Sequence, residues 1–168
     1  MAFSIRRGER LPGPVRDALG LRPGERVLSW GREAATGTTV VATNHRLYAV
    51  SAAGERLLAR PWHEVDGGTW SHELSQLTVT WVDGARPVQW LLGDSSLVPE
   101  TLRERVQASV VLAQRVELAN RRRARVVIRQ DLATGDLLEQ VVLGRGASLP
   151  DPAIDAALAD LREQVGLS

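Results

Sequence analysis

Val41-Ala42-Thr43-Asn44-His45-Arg46-Leu47-Tyr48 is the stretch on which the reading of this chain turns. Two runs, 38–43 and 46–51, flank Asn44-His45, and asparagine tolerates the positive φ of a tight hairpin. Moving outward, strands and turns alternate at short spacing, the pattern of an all-β sandwich or barrel. Upstream, Pro23-Gly24 turns the chain into a strand over about 26–33, and Pro14 and Gly20 bracket a short helix at 15–19. Downstream, Ala52-Ala53-Gly54 leads into a strand over 55–60 that Pro61 breaks. Gly67-Gly68 then introduces another strand through about His72.

The clearest hairpin joins 77–82 to 86–92 around Asp83-Gly84. Pairing about that turn places Leu77, Val79 and Trp81 on one face with Arg86, Val88 and Trp90, and Thr78, Thr80 and Gln89 on the other. A helix is expected from Pro99 to about Leu118, because Leu102, Val106, Ser109/Val110, Ala113 and Val116 recur at three- and four-residue steps. Asn120 with Arg121-Arg122-Arg123 makes a polar break, so the expected domains are 1–118 and 119–168. Beyond the break, 125–130 and 137–143 flank Ala133-Thr134-Gly135-Asp136 as a further hairpin. Its Val126-Val127-Ile128 and Val141-Val142-Leu143 runs are apolar on both faces and need cover on both. Asp151 as N-cap, Pro152 after it, and the stripe Ile154, Leu158, Leu161, Val165 ending at Gly166 predict a last helix.

The octapeptide and this element order resemble the pleckstrin-homology (PH) superfold. Thr43-Asn44-His45-Arg46-Leu47-Tyr48 is similar to the T-N-x-R-L-Y hairpin of GRAM and bacterial PH-like domains, and Pro61-Trp62-His63-Glu64-Val65 to the link before their fifth strand. The likeness covers about residues 26–118 and points to an actinobacterial PH-like family. It implies an α+β fold, a seven-stranded antiparallel barrel capped by a helix, followed by a β-hairpin and a C-terminal helix as an extension. In such a barrel Leu102, Val106 and Val110 would cover Val79, Trp81 and Trp90.

Composition narrows function more than it names it. The 168 residues carry a formal net charge of +1, against the basic excess of a dedicated nucleic-acid or membrane-surface protein. All 21 Lys/Arg-type cations are arginine, which fits a high-GC genome. There is no cysteine, so no disulfide, thiolate metal site or cysteine nucleophile. Met1–Arg7 lacks the long apolar core of a secretory leader, and no apolar run approaches a membrane span, so cytoplasmic residence is expected.

Candidate sites compete with plainer roles. His63, Asp66, His72 and Glu73 are metal-compatible types at spacings that match no ligand pattern. Gly144-Arg145-Gly146 has Leu149 where a dinucleotide fingerprint needs its third glycine. PH domains that hold inositides gather cations at the first hairpin, but 31–37 offers only Arg32 beside Glu33. Trp62 after Pro61 and Trp70 after Gly67-Gly68 are candidate interaction residues if exposed, as are Arg121, Arg122 and Arg123. Trp81 and Trp90 belong to the core by face parity. The expectation is a non-enzymatic protein-interaction or self-association module without cofactor or metal, and with the extension as its interface. A peripheral binder of anionic lipid and a small-ligand or enzymatic domain are the alternatives. The partner expected is a protein or a second copy rather than nucleic acid, and stable membrane insertion is not expected.

Overall fold

The computed structural model describes residues 10–167; Met1–Arg7, read above for a leader, falls outside them. The chain is α+β, with three antiparallel sheets and three α-helices among the described residues. It divides between Gln107 and Ala108 into two compact units. No helix among the described residues is long and apolar enough to cross a membrane.

In the first unit, α1 (Gly13–Leu19) starts with proline in its first turn and ends at Gly20 in the left-handed conformation, φ 59°. Strands β1 (Val27–Arg32), β2 (Thr39–Thr43), β3 (Arg46–Val50) and β4 (Arg56–Pro61) form a four-stranded meander in that order. Every residue of β2 is buried. Leu11 and the α1 residues Val15 and Leu19 pack with Val41, Tyr48 and Val50 on one face of this sheet.

Strands β5 (Val65–Ser71), β6 (Gln76–Trp81) and β7 (Val88–Leu91) form a second, three-stranded meander. Its register sets Leu77 against Trp90 and Val79 against Val88, with Thr78 opposite Gln89. Leu77, Val79, Trp81 and Trp90 are buried, as the alternation predicts. The seven strands do not close into the expected barrel: β4 and β5 belong to separate sheets. Pro61 cannot donate to a ladder, and the chain turns through a short 3-10 segment, Trp62–Glu64, before β5 begins.

Helix α2 (Val98–Ser109) touches both sheets of this unit. Ser29 Oγ of β1 donates to Thr101 Oγ1 at 2.8 Å. Leu102 lies over β5 so closely that a Cβ on Gly68 would sit 2.7 Å from Leu102 Cδ2 and displace that methyl group. The helix does not reach Leu118. It ends at Ser109, and β8 (Val110–Glu117) follows directly. Residues 110–116 fit both periods, since Leu112, Gln114 and Val116 also alternate inward along a strand. Pairing with β9 (Arg123–Gln130) decides the matter by giving an apolar strand a second neighbour.

The second unit is therefore a three-stranded sheet, in the order β10-β9-β8, rather than a hairpin. Strand β10 (Leu137–Leu143) and α3 (Pro152–Gln164) take the expected bounds. Asp151 caps α3, its carboxylate accepting from Ala153 N–H at 2.9 Å. Ile154, Ala157 and Leu161 pack against Val116, Ala124, Val126 and Ile128 on one sheet face. Arg129, buried in β9, donates through Nε and Nη2 to Ser109 Oγ at 3.0 and 2.7 Å.

The deciding octapeptide is organised around a residue outside it. Glu25, in the turn before β1, has a fully buried side chain. Its carboxylate accepts from Thr43 Oγ1 (2.7 Å), from Tyr48 OH (2.9 Å to each oxygen) and from Arg22 N–H (3.2 Å). Arg46 adds its charge at 3.6 Å and lies over the Tyr48 ring. Asn44 fastens the same turn: its Oδ1 accepts from Arg26 N–H at 2.7 Å and its Nδ2 donates to Gly24 C=O at 3.0 Å. Burial pushes the Glu25 carboxyl up, but the hydrogen bonds and Arg46 outweigh it and hold the group below its ordinary 4.5. Burial, then the bond to and charge of Glu25, push the Tyr48 phenol up to about 12.

Both shifts stabilise the fold at neutral pH, and each contribution is lost at an opposite end of the pH range. Glu25 contributes stability at neutral pH that is lost as pH falls from about 4.5 through its folded value. Tyr48 favours its neutral form, so its contribution is intact below pH 10.0 and lost as pH rises toward about 12. Tyr48 is the single tyrosine, so ultraviolet difference titration reports it alone. Ionisation of the folded chain is expected near pH 12 or together with unfolding; a midpoint near 10 without unfolding contradicts the arrangement.

Candidate functional site

The second unit carries the arginines singled out in the sequence. The β8–β9 connection is a tight turn over Ala119–Arg121, closed by Arg122 N–H to Ala119 C=O and Leu118 N–H to Arg122 C=O, at 3.4 and 2.8 Å. Asn120 and Arg121 both have φ 59°. Positive φ at both central positions is the geometry of a type I′ hairpin turn, which favours Asn-Gly. Asparagine suits the first position. Arginine at the second strains the backbone by about 1–2 kcal/mol.

The structure brings Arg121, Arg122 and Arg123 together, but their side chains do different things. Arg122 Nη1 donates to Gly146 C=O at 2.9 Å and ties the turn to the loop before α3. Arg123 pairs with Glu117 at 3.3 Å, both side chains largely exposed, so the pair stabilises little. Gly144 N–H donates to Arg123 C=O at 2.8 Å, and a Cβ on Gly144 would lie 2.5 Å from that oxygen. Gly144 therefore serves close packing against the arginine turn, while Gly146 supplies a positive φ of 76°. A small cavity of about 90 Å³ beside it is walled by Arg122, Ser148 and Asp151 among others. It offers one cation and one carboxylate, and room for about three waters at ~30 Å³ each.

The tryptophan candidates belong to the first unit. Trp62 is 1 % exposed and donates through Nε1 to Thr43 C=O at 2.8 Å. It anchors the hairpin from within and cannot present an aromatic surface, which corrects its place among the interaction residues. Trp70 is half-buried and lies opposite Leu77 on the core-facing side of β5, with its ring edge-on to His72. Among the described residues no group of three or more His, Asp or Glu side chains gathers as a metal site.

Sequence reasoning missed β8 as an outer strand of the second sheet, whereas β10 was expected as part of the apolar hairpin. Val110 and Val111 on β8, and Leu137 and Leu143 on β10, are between 36 % and 40 % exposed. The apolar runs on both hairpin strands were the available signal, but the third strand was hidden inside a helix reading. Glu139 on β10 is held by Arg162 of α3, whose Nη2 lies 2.7 Å from Oε2. That hydrogen bond, and the charge behind it, hold the Glu139 carboxyl below the usual carboxylate range. This surface offers backbone hydrogen-bonding groups and aliphatic side chains, which suits chain-to-chain contact. No protein-family model and no curated protein sequence matches this chain.

Replacing Arg121 by glycine relieves the left-handed strain and is expected to raise unfolding stability by about 1 kcal/mol in urea denaturation. A loss of stability of that size would show that the Arg121 side chain holds the turn.

Proposed function

We propose that this chain is a non-enzymatic protein-interaction module, with a PH-like scaffold as its first unit and a docking sheet as its second. The PH-like reading is supported by the order of a four-stranded meander, a three-stranded meander and a helix that contacts both sheets. The scaffold is an open pair of sheets in this reading. The lipid role associated with such a scaffold finds little support, because Arg46 is engaged by Glu25 inside the fold.

The single observation that supports an interaction role most is the pair of outer strands in the second unit. Helix α3 covers one face of that sheet, while β8 and β10 leave aliphatic side chains exposed at both edges. Unpaired strand edges are templates for an added strand from another chain. A peripheral anionic-surface role is the second reading, favoured by the strained display of Arg121 next to Arg122 and Arg123.

Affinity capture of the full chain from its native host cells, compared with Val111→Lys/Leu137→Lys/Leu143→Lys, separates these readings. A protein retained in near-stoichiometric amount by the wild type, and reduced about tenfold by the charged edges, is the expected result. Retention indifferent to the edge charges contradicts docking at these strands. Salt-sensitive binding to phosphatidylserine vesicles with no protein retained replaces it by the anionic-surface reading.

A further inference from the structure

We infer that β10 is a self-pairing strand, and that its partner is the β10 strand of a second copy of this chain. The inference rests on the interaction reading of the second unit and commits it to one occupant.

The backbone fixes which groups are offered. Asp131 N–H donates to Asp136 C=O and Gly144 N–H to Arg123 C=O, both at 2.8 Å, at the two ends of the β9–β10 ladder. Between them the register runs without interruption from Leu137↔Gln130 to Leu143↔Ala124. Bonded and non-bonded pairs alternate along an antiparallel ladder. Leu138, Gln140 and Val142 thus direct their N–H and C=O groups to β9, and those of Leu137, Glu139, Val141 and Leu143 face outward. No strand pairs with that outer side among the described residues.

The two edges of this sheet differ in protection. Strand β8 is interrupted by a register shift between Val110 and Leu112, and bulges discourage edge pairing. Strand β10 has no such shift, no proline and no lysine. Its one charge, Glu139, is already compensated by Arg162.

The sequence Leu137-Leu138-Glu139-Gln140-Val141-Val142-Leu143 is close to a palindrome of character. A two-fold axis normal to the sheet preserves its faces, so opposed residues must share parity. Centred on Gln140, it sets Leu137 against Leu143, Leu138 against Val142, Glu139 against Val141, and Gln140 against itself. All the outward backbone groups then fall in bonded pairs, giving about eight new hydrogen bonds. Centring on Glu139 would oppose two carboxylates. Arg162 also borders an open depression of about 330 Å³ lined by Ala159, Glu163, Gly166 and Leu167, next to the edge that the second copy meets. The contact is isologous and closes at two copies.

Sedimentation velocity of the full chain over a range of concentrations tests this with two charge variants. Leu137 and Leu143 are 37 % and 39 % exposed, so charging them spares the core. The wild type is expected to dimerise. Leu137→Lys/Leu143→Lys opposes lysines twice and should weaken the dimer about tenfold, whereas Leu137→Lys/Leu143→Glu opposes unlike charges and should restore it. Amide exchange should slow with concentration at Leu137, Glu139, Val141 and Leu143. A chain that stays monomeric, or two variants that dimerise equally, overturns the inference. Capture of a host protein is a separate measurement, so a monomer that still binds one removes self-pairing without removing the interaction role.

Discussion

A buried carboxylate organises the first unit. Glu25 is taken out of water and must be given donors from inside the fold. Thr43 at the end of β2, Tyr48 in the middle of β3 and the Arg22 N–H supply them, and Arg46 at the start of β3 adds its charge from 3.6 Å. Because these partners lie on three different segments, satisfying one carboxylate fixes the entry to β1, the β2–β3 turn and the register between them. Trp62 extends the same lock by bonding Thr43 C=O, so the link between the two sheets is tied to the turn that Glu25 holds.

Much of this was legible because turn chemistry is local. Asn44 marked the hairpin, Gly20 and Gly135 marked helix and strand ends, and alternation placed Trp81 and Trp90 inside. Glu25 itself was not legible. It sits in a Pro-Gly-Glu-Arg turn where a solvated carboxylate is ordinary, and its partners lie 18 and 23 residues away. The T-N-x-R-L-Y pattern was visible, but the reason for its Thr, Arg and Tyr was not. Trp62 shows the same limit: exposure after a proline cannot be read without the carbonyl it bonds.

The overrun of α2 into β8 has a different cause. Residues 110–116 satisfy helical and strand periods together, and no glycine or proline separates them from the helix. What decides is β9, an apolar strand flanked by β8 and β10 and covered by α3 on one face. With 110–117 in a strand, the second unit is a sheet with two edges rather than an appended hairpin. The interaction reading rests on those edges, while the arginine turn between β8 and β9, legible as a basic run, owes its character to a backbone conformation that composition does not reveal.

The dependence of the first unit on Glu25 is tested most directly by a double-mutant cycle on two of its donors. Thr43→Val and Tyr48→Phe each remove one hydroxyl from the carboxylate, and urea denaturation reads the stability of the wild type, both singles and the double. If one buried charge joins them, the effects are non-additive, with a coupling of about 0.5–3 kcal/mol. Additivity within about 0.5 kcal/mol would mean that the two hydroxyls act independently and that Glu25 is not the hub.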